Sequence, residues 1–301
     1  MSRIFYPIVL FLVLTTAPAI SQRIDQKQLL KDIEVLSSSE MEGRRTLEPG
    51  NIKAQQYIQE RFRALDLGSQ FRDYLQYFDF TTRQSGKKYQ RAANVVGFVA
   101  GEETEKLIVV TAHYDHIGKQ GDRIFHGADD NASGTAALLA FAGYFANNRP
   151  RHSMLFVALD AEELGLQGAK ALVSDFPFPL ETAVLNINMD MISRNADDQL
   201  YAVGTAHYPH LKPIIEGVSK SRQPELLFGH DSPGKGDWSR SSDHAKFHEK
   251  GIPFIYFGVE DHEDYHKTTD TFDRIQPQFF FDAADLILEI LIAFDTQLPI
   301  G

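Results

Sequence analysis

Cysteine is absent from all 301 residues. That single absence excludes disulfides, thiolate zinc sites, iron–sulfur clusters and cysteine nucleophiles. Any metal has to be held by His, Asp and Glu, and 11 His are present. Positive charge is also in deficit: 30 Lys and Arg stand against 41 Asp and Glu, a net charge of −11. So acidic a chain is poorly suited to gripping a phosphate backbone, and no nucleic-acid partner is expected. No internal repeat and no low-complexity linker interrupts the sequence, and no apolar run beyond the N-terminus is long enough to span a membrane. Against these absences, 43% apolar and 24% charged residues lie close to a globular average, which sets aside disordered, collagen-like and coiled-coil proteins.

The N-terminus has its own composition. Arg3 precedes an apolar run from Ile4 to Leu14, broken by Pro7, and small residues follow up to Ser21. A basic start, a short apolar core and a small-residue exit read as a signal peptide over residues 1–21, cleaved after Ser21. The expected compartment is therefore the periplasm or the exterior, and residues 22–301 form the mature domain. An uncleaved N-terminal anchor is the alternative.

Helical spacing of apolar residues predicts helices over 25–36, 51–67, 132–145, 210–219 and 279–294, with another beginning at Glu163. Alternating or β-branched runs predict strands over 74–82, 94–99, 107–111, 154–159, 183–189, 200–203 and 253–257. Strands that alternate with helices argue for an α/β fold, a three-layer sandwich around a central, mostly parallel mixed sheet. Residues 229–242 form the longest polar, glycine-containing stretch and hold the only tryptophan, Trp238, a candidate rim or lid.

Open α/β sheets present functional groups at the C-terminal ends of their strands. There the sequence places His113 and Asp115, then Asp129 and Asp130, then Glu162 and Glu163, then Asp190, then Tyr265 and His266. Each group has a plainer reading. Asp160 with the following glutamates suits a helix N-terminus, and Gly-Ala-Asp-Asp-Asn suits a turn. As a set, five strand ends or loops offering His, Asp, Glu, Asp and His form a donor set for zinc or a similar divalent ion. Three carboxylates, from Asp129, Glu163 and Asp190, balance two divalent ions and one bridging hydroxide. Paired ions about 3.5–4 Å apart are a known device for hydrolysis.

These segments resemble the secreted zinc aminopeptidases of the M28 metallopeptidase family, from Leu36-Ser37-Ser38-Ser39-Glu40-Met41-Glu42-Gly43-Arg44 to Thr269-Asp270-Thr271 and the last helix. The resemblance implies a di-zinc exopeptidase without an inserted protease-associated domain. Asp129 would bridge the ions, His113 and Asp190 would complete one, and Glu163 with His266 the other. Glu162 would be the general base that activates a metal-bridging water. The Asp129–Asp130 peptide would be cis.

On this reading Tyr265 donates to the oxyanion or merely packs, and Asp115 orients His113 from its far ring nitrogen. Asp270 would do something similar near His266. Arg194 either reaches a substrate carboxylate, which would favour dipeptides, or pairs with Asp197 or Asp198. Ser241-Ser242-Asp243-His244 also resembles a family segment near the substrate. The expected partner is a peptide with a free N-terminus. The rivals are a glutaminyl cyclase of the same fold, a dipeptidase or carboxypeptidase, and a non-catalytic peptide-binding module.

Overall fold

The computed structural model describes residues 23–299 except 84 and 235, so the signal-peptide reading of residues 1–21 lies outside the described residues. Helix α1 (Gln26–Leu36) starts where the Asp25 carboxylate accepts from the Gln28 amide at 3.1 Å, an N-cap that replaces one missing helical bond. Helix α2 (Pro49–Ala64) opens on proline, whose missing N–H is no loss in a first turn. The chain then lays down β1 (Leu75–Thr81), β2 (Lys88–Val99), β3 (Glu103–His113) and a small hairpin, β4 (Gly118–Gln120) with β5 (Arg123–Phe125). Next come α3 (Gly134–Asn147), β6 (His152–Leu159), α4 (Gln167–Ser174), β7 (Ala183–Met189), β8 (Gln199–Val203) and α5 (Lys212–Ser219). The chain ends with β9 (Glu225–Phe228), α6 (His244–His248), β10 (Phe254–Gly258) and α7 (Pro277–Gln297).

Eight strands form one mixed sheet in the order β1-β2-β6-β3-β7-β10-β8-β9. The four central strands, β6, β3, β7 and β10, are mutually parallel. Their C-terminal ends therefore meet at one edge of the sheet, and every strand-end residue singled out above lies there. β6 is buried along its whole length, which explains its unbroken apolar sequence Met154 to Leu159. Helices cover both faces. α1, α3 and α7 bury Leu29, Phe141, Phe280 and Leu288 against one face, while Leu172 of α4 and Phe247 of α6 pack on the other. Each such side chain contributes about 1.5–3 kcal/mol, and burial on this scale stands in for the disulfides the chain lacks. No helix among the described residues is long and apolar enough to cross a membrane.

The sandwich matches the expectation, with two differences that matter. α4 begins at Gln167 rather than Glu163. Ala161, Gly165 and Leu166 take positive φ, so the chain turns twice before it becomes helical and leaves Glu162 and Glu163 on a half-buried turn at the sheet edge. The second is α6, a short helix just after the 229–242 stretch that the apolar spacing does not predict.

Candidate metal centre and catalytic cavity

Three main-chain segments converge at the sheet edge, and a buried arginine ties them together. Arg44 is fully buried and donates only to carbonyls: Leu36 at 2.6 Å, Tyr114 at 2.7 Å, His126 at 2.7 Å and Gly127 at 2.8 Å. It thereby fixes the exit of β3 against the loop that leads into α3. Burial lowers the guanidinium to about 10, opposed by Asp130, Asp270, Asp115 and Glu163, so it stays charged. Gly127 has φ +59, and a Cβ there would lie 2.2 Å from the Asp130 carbonyl and 2.6 Å from the His116 ring. Only glycine lets the loop close this tightly.

The following residues present one aspartate inward and the other outward. Asp129 Oδ1 accepts from the Ser193 amide and hydroxyl, both at 2.7 Å, and Oδ2 faces His262 Nε2 at 3.0 Å. Asp130 instead points at the histidines, with Oδ1 3.3 Å from His113 Nε2 and Oδ2 3.0 Å from His266 Nε2. The expectation for Asp129 is thus corrected: its carboxylate is spent on Ser193 and His262, and its neighbour occupies the centre. The cis peptide is likewise Asp130–Asn131, one bond later than expected. Asp270 accepts from the amides of Asp129 and Asp130 at 3.0 and 3.1 Å, so it clamps this backbone rather than supporting His266.

Two donor groups share Asp130. One is His113, Asp130 and Asp190; the other is His116, Asp130 and Glu163. His113 Nε2 lies 3.2 Å from Asp190 Oδ1, and His116 Nδ1 lies 2.8 Å from Glu163 Oε1. His266 reaches the second group, 3.6 Å from Glu163 Oε1. The structure thus brings His113, Glu163, Asp190 and His266 together as expected positions, excludes Asp129, and adds Asp130 and His116. The only sequence sign of His116 was its place three residues after His113.

Electrostatics describe a centre short of positive charge. Burial alone would depress His113, yet Asp190 and bonds to Asp115, Asp130 and Asp190 hold it well above the usual imidazole value. Hydrogen bonding to Asp130 raises His266 as well, against burial. Burial raises Glu162 well above an ordinary carboxylate, reinforced by Asp243, Asp190 and Glu163 and opposed by His113. Nitrogen and carboxylate oxygen donors, without thiolates, in a pocket that draws protons onto its histidines, fit zinc or a similar divalent cation.

Asp115 works differently from the expectation. His113 Nδ1 faces the Asp115 backbone carbonyl at 3.1 Å, with the carboxylate at 3.7 Å. The Asp115 carboxylate accepts instead from the amides of Glu162 at 3.0 Å and Glu163 at 3.3 Å. It is a positioning residue that holds the glutamate turn beside β3. Arg194 pairs with Asp264, at 2.5 Å, rather than with Asp197 or Asp198, and is committed there instead of facing substrate.

The cavity itself has a volume of about 110 Å³, and Glu162, Trp238, Tyr256, Tyr265 and Met191 share its wall with the donors. Tyr265 stacks on His266 with ring centroids 3.9 Å apart. Burial, with nearby carboxylates, pushes its hydroxyl up, so it remains a proton donor. Behind the wall, Asp243 is fully buried and neither oxygen finds a hydrogen-bond partner among the described residues. Burial lifts it to about 8.

The donor constellation meets its comparison at the level of sequence. The model of Peptidase family M28 matches residues 94–291. This chain belongs to peptidase family M28. Among curated family members, the aminopeptidase YwaD of Bacillus subtilis (strain 168) is 29% identical over 212 residues, which cover 66% of this chain and 44% of that protein. The chain thus spans less than half the length of that relative. The solved structure of BSAP, a zinc aminopeptidase from Bacillus subtilis, superposes with a TM-score of 0.72 at 17% identity, covering 89% of this chain and 94% of that one. A Bacteroides thetaiotaomicron glutaminyl cyclase bound to N-acetylhistamine also gives 0.72 at 17%, covering 89% and 98%. These likenesses establish that the M28 chain has the shared α/β fold.

His244 yields a prediction independent of the metal centre. It is fully buried, stacked on Tyr256 and tilted against Phe254 with ring centroids 4.6 Å apart in each case, and its Nε2 lies 2.9 Å from the Trp238 carbonyl. Burial lowers it to about 3. Between its ordinary value near 6.5 and about 3, the unfolded chain binds a proton that the folded chain refuses, so stability falls as pH drops. His244→Phe should flatten the wild-type dependence by close to one proton, about 1.4 kcal/mol per pH unit, in urea titrations between pH 6 and 4. Identical slopes in the two proteins would show that His244 is charged when folded.

Proposed function

We propose that this chain is a zinc-dependent aminopeptidase that removes the N-terminal residue from peptides. The observation that carries the reading is a carboxylate, Asp130, common to two donor groups on the wall of a cavity that also holds Glu162. His113, Asp130 and Asp190 would hold one ion; Asp130, Glu163 and His266, with His116 beside Glu163, would hold the second. Zinc there supplies Lewis acidity toward the scissile carbonyl and lowers the pKa of water toward neutrality.

Glu162 takes the proton of the attacking water and passes it to the leaving amine, a role suited to a carboxylate made more basic by burial. Asp115 keeps that carboxylate in place through two backbone amides. Tyr265 donates its hydroxyl proton toward the developing oxyanion. The surplus of carboxylates favours a substrate ammonium, which supports an exopeptidase acting at a free N-terminus. The basic and apolar N-terminal segment supports export to the periplasm or the exterior.

The test is metal content per chain on purified protein, with cleavage of amino-acid arylamides measured on the same sample. Two zincs and chelator-sensitive release of the N-terminal residue are expected. One zinc without release, together with cyclisation of an N-terminal glutamine, would replace this reading with a glutaminyl cyclase. A chain with no metal and no turnover would be a peptide-binding module.

A further inference from the structure

The catalytic cavity, at about 110 Å³, lies well below the roughly 300–1,000 Å³ of a pocket that encloses a ligand, so a peptide does not fit within it. A substrate whose first residue sits there has to continue outside, and an adjoining cleft of about 790 Å³ shares Glu163 with the cavity. Four cationic side chains from three separate elements line it. Arg83 comes from the β1–β2 turn, Lys170 from α4, and Lys246 and Lys250 from α6 and its exit. Lys246 is held by Glu249 at 3.1 Å. Arg83, Lys170 and Lys250 are exposed, and none has a carboxylate within ion-pairing distance among the described residues. On a chain with a net charge of −11, this is a concentrated cationic wall beside the proposed metal centre.

We propose that this cleft binds the downstream part of the substrate and selects peptides that carry negative charge there. The inference rests on the reading that the substrate's N-terminus occupies the catalytic cavity. Two carboxylate sources share this chemistry: acidic side chains in the residues after the scissile bond, and the C-terminal carboxylate of a short peptide. Cations in a concave, partly desolvated cleft raise the local concentration of such groups.

The experiment measures calorimetric binding of Leu-Gly-Asp-Asp and Leu-Gly-Asn-Asn, each with a free and an amidated C-terminus, to the zinc-loaded Glu162→Gln protein, which holds substrate without turning it over. The aspartyl peptides should bind about tenfold more tightly than the asparaginyl ones. Adding Lys170→Glu and Lys250→Glu should abolish that ratio, and Lys27→Glu with Lys31→Glu, a charge-matched pair of changes on α1, should leave it intact. An aspartyl preference that survives amidation identifies the side chains as the recognised group; equal binding of the two sequences, with amidation weakening both, identifies the terminal carboxylate. Equal binding of all four peptides, or a preference that survives both charge reversals, would overturn the proposal. Arylamide hydrolysis by the wild-type protein is scored separately. A protein that shows the binding preference but releases no N-terminal residue would keep the cleft and lose the aminopeptidase reading.

Discussion

Glu162→Gln is expected to lower kcat by about 10³-fold, within the 10²–10⁴-fold that a positioned acid–base group contributes, while zinc content stays at the wild-type level. The amide keeps the size of the carboxylate and can still be held in place through the Asp115-bound backbone of the turn, but it cannot accept a proton. Glu162 belongs to neither donor group, so the ions have no reason to leave. The comparison is steady-state kinetics and elemental analysis on one preparation. Turnover within tenfold of wild type would mean that another group takes the proton. A loss of zinc along with activity would mean that Glu162 is a ligand. KM should change little, because the missing interaction belongs to the transition state.

The second large effect separates two adjacent aspartates. Asp130→Asn should deplete both ions together, since one carboxylate serves both groups. Loss of a residue that merely supports a ligand already costs 10–100-fold in affinity or activity, so loss of the shared ligand should cost about a hundredfold or more. Thermal stability measured with zinc present should fall with it, by about 3 kcal/mol for each site that the wild type fills at a hundred times its dissociation constant, so about 5 kcal/mol for the two. Asp129→Asn should retain zinc, because its carboxylate is bonded to Ser193 and His262 outside the donor groups. The opposite result, with zinc lost from Asp129→Asn and kept in Asp130→Asn, would reverse the assignment.

That pair also marks where the sequence stops being legible. Two neighbouring aspartates in one loop offer the same chemistry to any pattern, and which of them turns inward depends on local backbone geometry that residue type does not encode. The outward orientation of Asp129 needs partners from elsewhere, Ser193 after β7 and His262 after β10, each more than 60 residues away. His116 escaped notice for a similar reason: a third histidine near a strand end has no meaning until Glu163 is placed 2.8 Å from it. Asp115 was recognised as a supporting residue, but its target was misread. The amides it binds belong to a turn whose positive φ values at Ala161 and Leu166 break the expected helix.

The fold was far more legible. Met154 to Leu159 within β6 is a continuous apolar run because both faces of that strand are covered, and β7 departs from such a run only at Asn186 and Asn188, both buried. Gaps arose at the margins. β9, the β4–β5 hairpin and α6 are four, three and five residues long, too short to carry a period. The cleft beside Glu163 could not be read at all, since Arg83, Lys170 and Lys250 are separated by more than 160 residues and only the packing of α4 and α6 against one face makes them neighbours.

Arg44 grips Leu36, Tyr114, His126 and Gly127 solely through their carbonyl oxygens, and every amino acid has one. The anchor itself is therefore indifferent to the side chains at three of those four positions; Leu36 and Tyr114 are fixed instead by burial in the core, and Gly127 by its own φ. A position gripped through its carbonyl and only half-buried, as His126 is, can change its side chain while the distance between β3 and the Asp130 loop stays set. Intolerance is concentrated in the core and at the one residue that does the holding, so the architecture permits its rim to diversify without renegotiating its centre.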